Sequence, residues 1–169
     1  MFRISRRLDY GLQLMIALAS QSDNRPQSTA ALADQLNIPL PFLHQIGHML
    51  MQAGLIKASP GPHGGIRLNR SPEAITLLQV VEILEGPVSF HPCPDTNDDC
   101  PPEENSTTQS TWDTLQNKVT EHLRNITLLS LVASAQAMID YAKLATLQAA
   151  QVDNLARKNY FKANKTSAL

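Results

Sequence analysis

Residues 28–70 read STAALADQLNIPLPFLHQIGHMLMQAGLIKASPGPHGGIRLNR, and this stretch decides the fold. Apolar residues recur at helical spacing near its start, at Leu32, Ala33 and Leu36. This spacing predicts a short helix with one buried face. Asn37 follows, and because asparagine tolerates the left-handed backbone conformation, it suits the end of a helix that runs into a tight turn.

A second helix and a hairpin complete the stretch. The helix buries residues at i, i+3 and i+7, namely Leu43, Ile46 and Leu50. The segment PGPHGG at residues 60–65 has the glycine and proline content of a hairpin tip, and IRL at 66–68 follows as a strand. The sequence therefore predicts a helix-turn-helix followed by a β-wing.

A helix-turn-helix holds its second helix away from the body of the domain, where that helix can enter the major groove of DNA. This geometry predicts a DNA-binding transcription regulator. The second helix, called the recognition helix from here on, is expected to present Leu40, His44, Gln45 and His48 to the groove. Glutamine can bond the N6 and N7 edge of adenine, and histidine can donate to guanine N7 or to phosphate.

Four further residues are expected to contact DNA from outside the recognition helix. Arg6 and Arg7, at the start of the first helix, are suited to phosphate oxygens rather than to bases. His63 and Arg67 are the candidates in the wing. The alternative for the wing is that it only positions the protein on the duplex.

The predicted fold class is mainly α with a small β-wing, and the whole chain is predicted to consist of four parts. Residues 1–86 are predicted to form the winged helix-turn-helix domain, and the proline-rich residues 87–110 a loop. Residues 111–158 are predicted to form one long helix, and residues 159–169 a disordered tail.

The predicted long helix has an apolar seam close to a heptad repeat. The members of this seam are Trp112, Leu115, Val119, Ile126, Leu129 and Ala133. A helix of about 40 residues would be about 60 Å long, which is more than the small domain can cover. The simplest partner that could bury the exposed part of this seam is the same helix of a second copy, so the sequence predicts a homodimer. A homodimer also suits DNA with paired half-sites.

Net charge, the lengths of the apolar runs and the cysteine count argue against several classes of protein. The chain has 14 Lys and Arg against 15 Asp and Glu, a formal net charge of −1. This balance argues against a protein that coats nucleic acid non-specifically, so affinity for double-stranded DNA must come from a few placed cations. No apolar run approaches the roughly 20 residues of a membrane span. Two cysteines fit no disulfide framework, and we expect a cytoplasmic protein.

Enzymatic function is not expected. The sequence contains no phosphate-binding glycine loop and no HExxH motif, and it offers no convincing pair of nucleophile and base.

Several short motifs occur in the order of one known family. They are SRRLDY at residues 5–10, FLHQI at 42–46, AGLI at 53–56, GGIRL at 64–68 and ITL at 75–77. Through these motifs the chain resembles the IscR/NsrR family of winged-helix transcription regulators along most of its length. The resemblance implies a homodimeric cytoplasmic DNA-binding protein, often a repressor.

The resemblance also implies a cofactor. Many members carry an iron–sulfur cluster in the loop before the long helix and use it to sense iron–sulfur status, nitric oxide or redox state. Cluster-bearing members typically have three cysteines there; Cys93 and Cys100 match the first two, and Ser106 stands near the third position. In some members a carboxylate on the first helix reaches across the dimer as the remaining ligand, and Asp9 stands at that position.

The chemistry of the two cysteines leaves several states open. The thiolates of Cys93 and Cys100 suit an iron–sulfur cluster, 2Fe–2S in preference to 4Fe–4S, or zinc, if Asp9, His91, Ser106 or a partner chain supplies two further ligands. The thiols could instead form a disulfide on oxidation. In the remaining alternative both thiols are inert, and a cluster-free regulator responds to a protein partner or a small molecule.

Overall fold

The computed structural model describes residues 4–21, 23–61, 64–90, 107–141 and 143. The chain forms two compact units, Met1–Val132 and Ala133–Leu169. The elements of the first unit are α1 (Arg6–Ala19), α2 (Thr29–Leu36), α3 (Leu40–Gln52), β1 (Ile56–Ser59), β2 (Gly65–Leu68), a 3₁₀ turn (Pro72–Ala74), α4 (Leu77–Glu85) and α5 (Thr107–Asn125). In the second unit, residues 133–141 and 143 are helical. The predicted fold class, mainly helical with a two-stranded antiparallel wing, is confirmed.

The turn between α2 and α3 forms as the sequence predicts. Asn37 has φ 53° and ψ 41°, which is the left-handed conformation, and its N–H donates to carbonyls in the last turn of α2. Ile38 is only 3% exposed and fills the turn from the inside. On α3, the buried face consists of Leu43, Ile46, Gly47 and Leu50. One continuous core joins this face to α1, the wing and α4, so the recognition helix is anchored along a single side.

The wing is a two-stranded hairpin, and the loop before α2 pairs with one of its edges. β1 and β2 pair antiparallel along their whole length. Gln27, in the loop before α2, exchanges two backbone hydrogen bonds of 2.9 Å with Ile66. The carbonyl of Gln27 approaches Gly65 so closely that a Cβ at Gly65 would collide with it. The second wing glycine is therefore required by backbone packing as well as by the turn.

α4 begins after the capping residue Thr76 and ends at Gly86. The Gln79 N–H donates to Thr76 Oγ1 at 3.3 Å, and the Thr76 N–H donates to Gln79 Oε1 at 3.2 Å, which completes a capping box. Gly86 has φ 90°, a conformation that a residue with a side chain rarely adopts, and the helix ends there.

The helix predicted over residues 111–158 is interrupted in the structure. α5 ends at Asn125, and the chain becomes helical again at residue 128. The prediction of one continuous helix is wrong at this point. Residues 144–158 of the predicted helix and the predicted tail, residues 159–169, lie outside the described residues.

Backbone hydrogen bonds to the start of α4 explain the interruption. The Leu77 N–H donates to the Ile126 carbonyl, and the Leu128 N–H donates to the Ile75 carbonyl, both at 2.8 Å. Thr127 then caps the next helical segment, because its hydroxyl oxygen accepts the N–H three residues further on at 3.2 Å. At residues 126–128, hydrogen bonds to residues 75–77 therefore replace the bonds that would continue the helix.

The hydrophobic core extends beyond residue 86, where the sequence placed the end of the first domain. Val88 is 9% exposed and Leu128 is 1% exposed, and both belong to the core cluster. Val119 and Leu123 of α5 pack partly against it. α5 therefore packs against α4 and shares the hydrophobic core of the winged-helix domain.

Two glycines offer a matched test of backbone conformation. A Cβ at Gly47, inside α3, or at Gly86, after α4, would meet no atom within 4 Å in the described part of the chain, apart from its own helix and chain neighbours. Of these two glycines only Gly86 has a positive φ, 90°. Gly47→Ala is expected to raise the free energy of unfolding by about 0.5–1 kcal/mol, since alanine loses less entropy in a helix. Gly86→Ala is expected to lower it by about 1 kcal/mol or more because of strain. Urea denaturation measures both, and a destabilised Gly47→Ala variant would contradict this assignment.

Candidate nucleic-acid interface

The side of α3 that faces away from the core carries polar side chains. At about 100° per residue, Gln45 and His48 lie opposite the buried Leu43 and Leu50, and His44 lies at the edge of the exposed face. All three polar side chains are exposed, and none of them makes a hydrogen bond or ion pair within the described part of the chain. Their donors and acceptors are available to base edges.

The charge on this helix is compatible with DNA. α3 reads LPFLHQIGHMLMQ and contains no acidic residue, so no carboxylate of the helix repels phosphate. Its N-terminal end carries no side-chain cap, and Pro39 precedes the first turn.

Two apolar side chains flank the polar ones. Leu40, which the sequence placed at the interface, is 38% exposed, and Phe42 is 49% exposed. The Phe42 ring lies edge-on to the Tyr10 ring of α1, with centroids 6.4 Å apart and an interplanar angle of 84°. An exposed apolar group beside a glutamine can contact a thymine methyl. Phe42 was not predicted from the sequence, although an aromatic residue outside the buried face of α3 is a signal that could have indicated it.

The two arginines at the start of α1 have different surroundings. Arg6 is exposed. Arg7 lies near α4, where its Nε is 3.5 Å from Glu85 Oε1, and its side chain is 41% exposed. The same carboxylate oxygen accepts a hydrogen bond from the Ser5 hydroxyl. The sequence treated these two arginines as equivalent, and the structure separates them.

The outer face of the wing carries two cations in register. Lys57 on β1 is directly opposite Arg67 on β2, and both are half-buried. Within the described residues neither forms an ion pair, and Arg67 Nε is buried without a hydrogen-bond partner. Like charges directly opposite each other are destabilising, so this pair would gain from a bound anion. The sequence predicted Arg67 but not Lys57, because the register decides which residue it faces. His63 lies outside the described residues.

The candidate metal ligands are only partly described. Asp9 is exposed on α1 and accepts one hydrogen bond, from Gln13 Nε2 at 3.0 Å. No group of three or more His, Cys, Asp or Glu residues is gathered for a metal ion within the ranges that the structure describes. Cys93, Cys100, His91 and Ser106 all lie outside those ranges.

A helix-turn-helix with a free polar recognition face, followed by a two-stranded wing, defines a winged-helix DNA-binding protein. Residues 4–134 match the Rrf2 family, described as iron-dependent transcriptional regulators, and the chain belongs to this family. It is a transcriptional regulator and not an enzyme. None of the described helices is both long enough and apolar enough to cross a membrane.

The curated relatives are transcriptional regulators. The chain is 33% identical over 135 residues to an HTH-type transcriptional regulator of Synechocystis, which covers 80% of this chain and 90% of that protein. It is 38% identical over 87 residues to CymR of Bacillus subtilis, covering 52% and 63% of the two chains. It is 28% identical over 136 residues to IscR of Vibrio cholerae, covering 80% and 78%.

Solved structures that share the fold include those of two regulators. CymR of Bacillus subtilis, named as its global cysteine regulator, has a TM-score of 0.68 and 31% identity, covering 79% of this chain and 98% of that chain. IscR of T. potens has a TM-score of 0.64 and 29% identity, covering 79% and 88%.

Proposed function

We propose that this protein is a homodimeric repressor that reads DNA sequence with α3. The observation that carries the proposal is the face of α3 on which Gln45 and His48 are exposed and unpaired within the described residues, opposite a fully buried apolar face. Gln45 is assigned to an adenine edge, and His44 and His48 to guanine N7 or phosphate. Arg67, with Lys57 opposite it, is assigned to a phosphate oxygen.

Dimerisation is proposed to use the apolar residues that remain exposed on α5 and just beyond it. Within the first unit, Trp112 is 48% exposed, Leu115 is 40% exposed and Leu129 is 45% exposed. These three belong to the seam that the sequence predicted, whereas Val119 of the same seam packs against the domain core. A second copy with the same face would cover them through a two-fold axis. Such a dimer would place two recognition helices on one DNA duplex.

The sensor is proposed to be an iron–sulfur cluster, with Cys93 and Cys100 as thiolate ligands and Asp9 of the partner subunit as a carboxylate ligand. Asp9 fits this role because it is exposed and its carboxylate accepts one hydrogen bond within the described residues, so a carboxylate lone pair is available. A cluster with four protein ligands would need one more ligand besides these two thiolates and one carboxylate. His91 and Ser106 are the nearest candidates in sequence. A bound cluster would supply a redox-sensitive group in a reducing cytoplasm.

The cysteine count favours a second candidate, a cluster-free regulator controlled by a protein partner or a small molecule. The whole chain contains two cysteines, whereas four ligands are usual for a cluster or zinc site. The DNA-binding assignments are the same for both candidates.

Metal analysis of the anaerobically purified protein separates the two candidates. The wild type is expected to contain iron and sulfide, and Cys93→Ser and Cys100→Ser are expected to lose both while remaining dimeric. Asp9→Ala is expected to lose iron as well, whereas Asp34→Ala, which removes an exposed carboxylate of α2, is expected to retain it. Wild-type protein without stoichiometric iron would contradict the cluster and favour the second candidate. Full iron in Asp9→Ala would remove Asp9 from the ligand set.

A further inference from the structure

Arg6 and Arg7 are adjacent in sequence but lie on different sides of α1. One turn after Arg7, Gly11 packs so closely against α4 that a Cβ would collide with it. One turn after Arg6, Tyr10 packs edge-on against Phe42 of the recognition helix. Because residues four apart share a helix face, Arg7 is on the side of α4 and Arg6 is on the side of the recognition helix.

One carboxylate on α4 holds the start of α1. Glu85 Oε1 accepts the hydrogen bond of the Ser5 hydroxyl and lies 3.5 Å from Arg7 Nε. Ser5 is itself the cap of α1, because its Oγ accepts the Leu8 N–H at 3.2 Å. Glu85 therefore touches the capping residue and the second residue of the helix at the same time, and it ties both to the last turn of α4.

The pairing of Arg7 with Glu85 is partly shielded from water. The Glu85 side chain is 22% exposed, and Arg7 Nε is buried without a hydrogen-bond partner within the described residues. The carboxylate is thus the group that offsets the charge of this guanidinium. Arg6 has no ion pair in the described part of the chain, and its side chain is exposed.

We propose that Glu85 withholds Arg7 from DNA, so that Arg6 alone of the two arginines supplies a phosphate contact and Arg7 fixes α1 against α4. This assignment rests on the proposed DNA-binding function and makes it more specific. The Glu85 carboxylate already offsets part of the charge of Arg7, so a phosphate oxygen gains less from Arg7 than from Arg6, which has no such competitor within the described residues. Glu85 acts here as a positioning residue, through Arg7, and touches no DNA.

The salt dependence of DNA binding tests the assignment, because each phosphate contact adds about 0.9 to the magnitude of the slope of log K against log salt. Arg6→Gln is expected to reduce the slope by about 0.9 per bound chain, which is about 3.5-fold in affinity between 50 and 200 mM salt. Arg7→Gln is the matched control; it is expected to keep the wild-type slope and to lower the thermal midpoint. Glu85→Gln is expected to increase the slope by about 0.9, because an amide oxygen still accepts the Ser5 hydroxyl but no longer holds the arginine.

The double variant Arg7→Gln with Glu85→Gln is expected to return to the wild-type slope, since the released cation is gone. An Arg7→Gln variant whose slope falls as far as that of Arg6→Gln would overturn the inference, and so would a wild-type slope for Glu85→Gln. Failure of the proposed function itself is a separate result, in which the wild-type protein binds no DNA at any salt concentration.

Discussion

Leu115→Glu is expected to disrupt the proposed dimer, so that the variant is monomeric at concentrations where the wild type is expected to be dimeric. It is also expected to bind DNA with two half-sites more weakly. Leu115 is 40% exposed in the single chain. Burying the exposed part of this side chain in a dimer would contribute about 1 kcal/mol of association free energy per copy. Two copies contribute to a symmetric interface, which gives about 2 kcal/mol, or roughly 30-fold in the dissociation constant. An unpaired carboxylate in the interface adds a further cost.

Asn117→Glu is the matched control for this variant. Asn117 is exposed two residues along α5, on the opposite side of the helix, so the same charge is added away from the apolar face. Sedimentation equilibrium should show a dimer for Asn117→Glu and a monomer for Leu115→Glu. Leu115 is not part of the hydrophobic core, so circular dichroism should show an intact fold in both. A dimeric Leu115→Glu variant would place the interface elsewhere.

Gln45→Ala is expected to cost about 1–3 kcal/mol on the preferred DNA sequence, which is roughly 5- to 150-fold in affinity. The truncation removes a bidentate donor and acceptor from the centre of the exposed face of α3 and touches no buried residue. Binding to unrelated DNA should hardly change, because that binding depends on phosphate contacts. Fluorescence anisotropy with the two kinds of duplex gives both affinities.

The control for Gln45→Ala is Gln136→Ala, which removes the same side chain from an exposed helical position in the second unit. The Gln136 amide donates to Asp140 Oδ1 at 3.0 Å, one turn further along the same helical segment, and no DNA contact is assigned to it. This variant should leave both affinities unchanged. Equal losses on the preferred and the unrelated DNA for Gln45→Ala would show that Gln45 contacts phosphate and reads no base.

Local signals made the helix-turn-helix and the wing predictable. Asn37 favours a left-handed turn and the glycines of residues 60–65 favour a hairpin, through the backbone conformations that these residue types adopt. The exposed face of α3 also follows from spacing alone, because burial at Leu43, Ile46 and Leu50 fixes which side faces outward.

Long-range contacts explain what the sequence did not predict. Apolar residues continue at helical spacing past Ile126 and Thr127, and this spacing outweighs the local signal of Thr127, a residue type that caps helices. The hydrogen bonds to the start of α4 that interrupt the helix there join segments far apart in sequence, which the spacing does not indicate. Ser5 and Glu85 are 80 residues apart, and Arg7 differs from Arg6 only through that distant carboxylate. Likewise, Lys57 joins the proposed interface only through its register with Arg67.

Selection of preferred sites from a random pool of DNA, followed by footprinting, shows whether two copies of α3 read one duplex. Two recognition helices related by a two-fold axis must meet a site with the same symmetry. We expect a pseudo-palindromic sequence whose half-site centres are about 10 base pairs, or a multiple of that, apart, with protection lost in Leu115→Glu. A preferred site without two-fold symmetry, or the absence of any sequence preference, would contradict it.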